Sequence, residues 1–191
     1  MNNFKSFKTL TAALALAGLC SAAQAVGSLV LAPVLSSAEA GSSFSVLVRG
    51  LNFTDNVIGG GFNLAFNAAV LRLDSVAINT VVWEFVSSNG TINNVAGTLS
   101  DAFFNSNRAQ LPTGNFEVAT LNFTARAPGI SALTLSASAD FPFANDLVEV
   151  INVAYGSGSV NVSAVPEPAT WASLLLGLAL LPTLRRRLMH A

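Results

Sequence analysis

The run Gly61-Phe62-Asn63-Leu64-Ala65-Phe66-Asn67-Ala68-Ala69-Val70-Leu71-Arg72-Leu73-Asp74 decides the fold class. Phe62, Leu64 and Phe66 alternate with small or amide side chains, and Leu71 and Leu73 alternate with Arg72 and Asp74. A period of two belongs to an extended chain whose successive side chains point to opposite faces, so these segments read as half-buried strands. The pattern recurs outward in both directions. Phe44, Val46 and Val48 share a face, with Ser45 and Arg49 opposite; Leu121, Phe123 and Ala125 alternate with Thr120, Asn122 and Thr124; Leu133 and Leu135 alternate with Thr134 and Ser136. One apolar and one polar face per strand is what two antiparallel sheets packed over a single core require.

Turn chemistry separates these runs at Asp55-Asn56, Gly59-Gly60-Gly61, Ser88-Asn89-Gly90, Pro112-Thr113-Gly114-Asn115, Pro128-Gly129 and Gly156-Ser157-Gly158. The expected fold is all-β: a single antiparallel β-sandwich of nine or ten strands, with a loop or helical turn around Ser100 to Ala109. The Gly59–Gly61 run has no following Lys and opens no helix, so it reads as a turn or bulge and not as a phosphate loop.

The chain has 191 residues, which suits one domain plus processing segments. Residues 26–165 contain no Cys, His, Lys or Met, which excludes a Cys nucleophile, a His-based triad, a Schiff-base lysine, a zinc finger and a disulfide there. That body sets four Arg (49, 72, 108, 126) against nine Asp/Glu, a net charge of −5, so no nucleic-acid partner is expected. It holds 11 of the 13 Phe, enough large apolar side chains to fill a core without disulfides.

The first 25 residues read as an export signal. Lys5 and Lys8 precede the apolar run Leu10 to Leu19, and Ala23-Gln24-Ala25 supplies small side chains at the positions a signal peptidase accepts. The expected partners are the Sec translocon and signal peptidase, with cleavage after Ala25. Cys20 then stays in the discarded peptide.

At the other end, Val165-Pro166-Glu167-Pro168-Ala169-Thr170-Trp171-Ala172 leads into an apolar stretch ending at Leu184, followed by Arg185-Arg186-Arg187. The 14 residues from Trp171 to Leu184 make about 21 Å of helix, short of a bilayer core of about 30 Å. The arginines should remain cytoplasmic, leaving the body outside the inner membrane. This arrangement resembles the PEP-CTERM sorting signal of Gram-negative bacteria. The resemblance implies that Pro166, Glu167 and Pro168, with the arginine cluster, are read by an exosortase-type enzyme after transient inner-membrane anchoring. It also implies a final place on the outer surface or in an exopolysaccharide or biofilm matrix. Pro182 and the residues after Arg187 depart from that pattern. The expected organisation is a signal peptide (1–25), a sandwich domain (26–164) and a sorting signal (165–191) with a short transmembrane helix at about 169–184.

Four stretches of the body carry a second resemblance: Glu39-Ala40-Gly41 before Phe44–Val48, the run Gly61–Leu71, Val118–Ala125, and Pro128-Gly129-Ile130-Ser131-Ala132-Leu133-Thr134-Leu135. Together they look like the cohesin-like modules of the carbohydrate-binding superfamily, which implies a jelly-roll sandwich. Cohesins of cellulosomes bind dockerins, but a single module without a scaffold array argues against a dockerin partner.

Few residues invite chemistry. Asp74 and Glu84 are the candidate pair for a carbohydrate-active hydrolase, which needs two carboxylates at a fixed separation across a cleft. Glu84 interrupts the apolar run Val81 to Val86, so it also reads as an edge charge that blocks aggregation. Asp140, Asn145, Asp146 and Glu149 are candidate calcium ligands by donor type, although their spacing is not that of an EF-hand. Trp83 is the body's only Trp. Its parity with Val81 and Phe85 favours the core; exposed instead, it would be the candidate carbohydrate contact. Asn52, Asn89, Asn122 and Asn161 stand in N-x-S/T sequons that chance explains in so Asn- and Ser-rich a body. The leading expectation is an exported, non-enzymatic envelope or matrix protein that binds exopolysaccharide or an envelope protein, with no catalytic residue and no required cofactor. The alternatives are the Asp/Glu hydrolase and a purely structural scaffold.

Overall fold

The computed structural model describes residues 27–165. The expected signal segment with Ala23 and Ala25 lies outside the described residues. So does the sorting segment with Pro166, Glu167, Pro168, the 169–184 stretch, Arg185, Arg186 and Arg187.

The described chain forms thirteen strands: β1 (Ser28–Ala32), β2 (Leu35–Glu39), β3 (Ser43–Phe53), β4 (Val57–Ala65), β5 (Leu71–Ile78), β6 (Val86–Ser88), β7 (Thr91–Asn93), β8 (Thr98–Asn105), β9 (Gly114–Ala125), β10 (Gly129–Ala137), β11 (Ala144–Asn145), β12 (Ala154–Tyr155) and β13 (Ser157–Ser163). Nine are five residues or longer; the four extra strands beyond the expected framework have two or three. A five-stranded sheet, ordered β12-β1-β3-β9-β5, packs on an eight-stranded one whose main path is β2-β13-β10-β4-β8-β6. β11 pairs with β4 and β7 with β8. The sandwich is not wholly antiparallel, because β1 pairs parallel to β12 and β2 parallel to β13.

Alternation assigns the inner faces. Val46, Val48, Phe62, Leu64, Phe66, Leu71, Leu73, Leu121, Phe123, Ala125, Leu133 and Leu135 are all buried in one core. The core divides by chemistry. At the upper end, where β3, β5 and β8 finish and β4 begins, five rings interlock. Trp83 lies 4.4 Å from Phe104 and 5.2 Å from Phe116, Phe53 lies 4.8 Å from Phe116, and Phe143 lies 5.5 Å from Phe104. The rest is mainly aliphatic, with Phe66 edge-on to Phe123.

Three expectations fail here. Gly59, Gly60 and Gly61 are not a turn; they lie buried within β4, and only the irregular pairing with β11 between Val57 and Gly59 keeps the bulge half of that expectation. A Cβ on Gly60 would lie 2.5 Å from the Phe143 ring, so glycine lets that ring lie flat on the strand. Ser100 to Asn105 is not a loop or helical turn but the last six of the eight residues of β8; of the expected segment only 106–109 is loop. The Val81–Val86 run is not one strand. It is a turn closed by N–H donations from Val82 and Trp83 to the Asn79 carbonyl, and β6 starts only at Val86.

Candidate docking face

The turn after β5 fixes one wall of the site. Trp83 points inward and is fully buried, and its indole N–H donates to the Glu117 carbonyl at 3.0 Å. Glu84 emerges on the other side and accepts three hydrogen bonds from the loop after β8: from Ser106 Oγ (3.0 Å), the Asn107 amide (3.0 Å) and Arg108 Nε (3.1 Å). The Arg108 guanidinium also donates to the Val81 carbonyl, closing the clamp. Partial desolvation pushes the Glu84 carboxyl up. Donation from its own amide, from Asn107 and from Ser106, together with the Arg108 charge, outweighs this and holds the group below the ordinary carboxylate value. Beyond the anchored Glu84, Phe85 and the first residue of β6, Val86, face solvent, 60% and 48% exposed.

The opposite wall comes from the segment after β10. β8 carries an irregularity opposite Asn63, where Asp101 adopts φ 56°. Asn63 Oδ1 accepts the Asp101 amide at 2.7 Å, and Asn63 Nδ2 donates to the Ala137 carbonyl at 2.8 Å. Ser138, itself buried, donates to Asp101 Oδ1 at 2.8 Å and accepts the Phe141 amide at 3.3 Å. This network seats Phe141 over Gly61, where a Cβ would lie 2.7 Å from the Phe141 Cβ, and stacks it on Phe103 at 4.2 Å.

A groove of about 330 Å³ lies between these walls on the outer face of the eight-stranded sheet. Ile58, Phe85, Val86, Phe103, Phe141 and Pro142 make it apolar, the backbone of Gly59 and Gly60 lies along it, and Asp140 stands at its rim. Such a surface is suited to receiving large apolar side chains of a partner.

The residues singled out in the sequence do not form a second site. Trp83 is closed off from any sugar, so it is not a carbohydrate contact. Asp74 sits on the outer face of the other sheet, 2.6 Å from Arg72 Nε and accepting from Thr124 Oγ1 at 2.6 Å, while Glu84 is committed to the loop after β8. The two carboxylates share no partner and line no common cleft. In the loop 140–149, Asn145 Oδ1 accepts the Leu147 and Glu149 amides at 3.0 and 2.9 Å, and Asp146 Oδ2 accepts from Asn56 Nδ2 at 2.9 Å. Donors of the loop and of the β3–β4 turn thus engage oxygens of Asn145, Asp146 and Glu149, the last accepting from Asn145 Nδ2 at 3.3 Å. Among the described residues no three His, Cys, Asp or Glu side chains converge to hold a metal ion. Sequence reasoning missed Phe85, Phe103 and Phe141. The adjacent pair Phe103-Phe104 was the available signal, since neighbouring residues of a strand cannot both face the core.

Comparison with solved structures finds the same sandwich in bacterial cohesins. The cohesin CaCohA2 of Clostridium acetobutylicum is 19% identical with a TM-score of 0.57, over 72% of this chain and 91% of that one. The OlpA cohesin of Clostridium thermocellum, solved with the dockerin Doc918, is 12% identical with a TM-score of 0.60, over 72% and 99%. A cohesin module from a family 33 glycoside hydrolase of Clostridium perfringens is 15% identical with a TM-score of 0.58, over 73% and 98%. These likenesses are of fold. Comparison with curated proteins found no match. The family model for the cohesin domain matches residues 31–162, more than half of the sequence, and the chain therefore belongs to the cohesin domain family.

Proposed function

We propose that this protein is an exported, non-catalytic binding module of the cell envelope or extracellular matrix, and that the upper groove holds a protein partner. The groove itself carries the reading: half-buried Phe103 occupies an outward position of β8 where alternation calls for a polar residue, stacked on Phe141, with Phe85 exposed in the turn beside it. The OlpA cohesin named above was solved in a cohesin–dockerin complex, which supports a protein rather than a sugar as the partner class. Export follows from Lys5, Lys8, the apolar run and Ala23-Gln24-Ala25. Sorting follows from Pro166-Glu167-Pro168 and Arg185-Arg186-Arg187, with an exosortase-type enzyme as the processing partner and the exopolysaccharide matrix as the destination. The described chain ends at the lower end, where Ala40 N–H donates to the Ser163 carbonyl. A tether leaving from there would keep the groove clear.

Two measurements test this. Intact mass of the mature protein should begin at residue 26 and lack the Trp171–Leu184 segment; recovery of the whole chain in the inner membrane would refute the processing step. Pull-down from envelope extract and native exopolysaccharide should capture a protein with the wild type and not with Phe85→Ala. Capture of polysaccharide alone, indifferent to Phe85, would move the function to a structural role in the matrix.

A further inference from the structure

Exposed sheet edges are sites of strand addition, and proteins ordinarily shorten, cover or charge them. Three of the edges here are managed in that way. β12 has two residues, and β6 and β7, which share the outer side of β8, have three each. β5 is long, but side-chain amides occupy it. Asn94 accepts the Leu73 N–H at 2.9 Å and donates to the Leu73 carbonyl at 3.0 Å, and Asn89 Oδ1 accepts the Ile78 N–H at 3.3 Å.

β2 is different. Among the described residues it pairs only with β13, in unbroken register from Leu35 to Glu39. The Val34 carbonyl accepts from Ser159, and Ala40 N–H donates to Ser163. Even-numbered positions therefore face β13, and Leu35, Ser37 and Glu39 turn their N–H and C=O groups away from the sheet. Of these, the Glu39 carbonyl is already taken by the amide and hydroxyl of Ser42. β2 contains no Lys, Arg or Pro and no bulge.

We propose that a second copy of this chain pairs along β2, antiparallel, about a two-fold axis through Ser37. The pattern of open groups is self-complementary about that residue. Ser37 exchanges two hydrogen bonds with its counterpart, and at each end a Glu39 N–H meets the free Leu35 carbonyl, giving four across the axis. Charge fits the same register. Glu39 is the only charged side chain on β2, and the two copies of it lie at opposite ends, each beside the 76%-exposed Leu35 of the other chain. The two eight-stranded sheets become one continuous sheet. A five-residue edge buries far less than the roughly 1,200 Å² of a stable interface, so the dimer is weak and fills only at high concentration.

Sedimentation of the protein as recovered from cells, from about 10 µM to about 1 mM, tests this. The expected result is a concentration-dependent monomer–dimer equilibrium. Ser37→Pro removes an N–H that the β13 ladder does not use, and edge strands accept proline at such positions. It should weaken the dimer at least roughly tenfold while leaving thermal unfolding of the monomer nearly unchanged. Charge tests the register without touching the backbone: Leu35→Glu should weaken the dimer, and Leu35→Lys, facing Glu39 of the other copy, should strengthen it. A chain that stays monomeric throughout overturns the proposal, whether the edge stays bare or its own residues 166–191 cover it. A dimer that responds to none of the three substitutions overturns it equally.

Discussion

The outer faces of the two sheets solve the same problem differently. On the five-stranded sheet, side chains from β3, β9 and β5 bond to one another in rows across the strands. Ser43 lies 3.3 Å from Thr124, which donates to Asp74 beside Arg72; in the next row Ser45 donates to Asn122 and Asn122 to Ser75. That face satisfies itself. On the eight-stranded sheet the upper end shows the Phe103–Phe141 stack, Phe85 and Val86, with glycine backbone between the walls. Apolar area left in water forfeits about 25 cal/mol per Å² until something covers it. The contrast separates a face whose polar side chains bond to one another from one that leaves apolar side chains in water.

The comparison breaks most directly at Gly60. Its missing side chain is what lets Phe143 reach Phe53, at 5.7 Å, and Phe104. Gly60→Val should destabilise the fold by about 2–3 kcal/mol through overpacking, read from urea denaturation. A loss below about 1 kcal/mol would mean that the ring can move aside and that the groove's backbone is not held by close packing.

Phe85→Ala comes next, and here stability and binding should part. The residue is mostly exposed, so unfolding should shift by less than about 1 kcal/mol. Capture of the protein partner should fall at least about tenfold, as expected for an aromatic anchor. Equal capture by wild type and variant would remove the groove from the function. The outer face of the five-stranded sheet predicts the converse. Asn122→Ala breaks bonds to both Ser45 and Ser75 and should cost about 1 kcal/mol of stability while leaving capture untouched.

Alternation made most of the inner face legible, because burial on a strand depends on a residue's own parity. It did not reveal the groove, because the groove depends on what lies across the sheet. Gly60 reads as a turn residue until Phe143, far along the chain, is laid against it. Phe141 gives no sign in the sequence of its place until Ser138 and Asn63 seat it beside Phe103. Trp83 is instructive in the other direction. Parity pointed to the core, yet its parity partners Val81 and Phe85 are 75% and 60% exposed. Trp83 is buried because a turn swings it under Phe104, and alternation had no part in that. The interruption at Glu84 was visible, but its meaning lay in Ser106, Asn107 and Arg108, which no local pattern connects to it.

The smallest effect concerns that clamp. Glu84 has its folded-state pKa lowered from the ordinary 4.5, so its ionised form is favoured by the native structure. A carboxylate of this kind contributes stability that is fully present above its unfolded value and is lost as pH falls through the lower, folded value. Glu84→Gln keeps the shape but accepts weakly from Arg108 and cannot pair with its charge. The variant should be slightly less stable than wild type at neutral pH. That gap should narrow once pH drops below 4.5 and close below the folded value. Denaturation curves collected from pH 7 down into the acid range will show it. A gap that stays constant with pH would mean that Glu84 acts through shape alone. If the gap does close, partner capture by wild type should weaken over the same acid range, because the clamp is what holds the chain entering Phe85 and with it one wall of the groove.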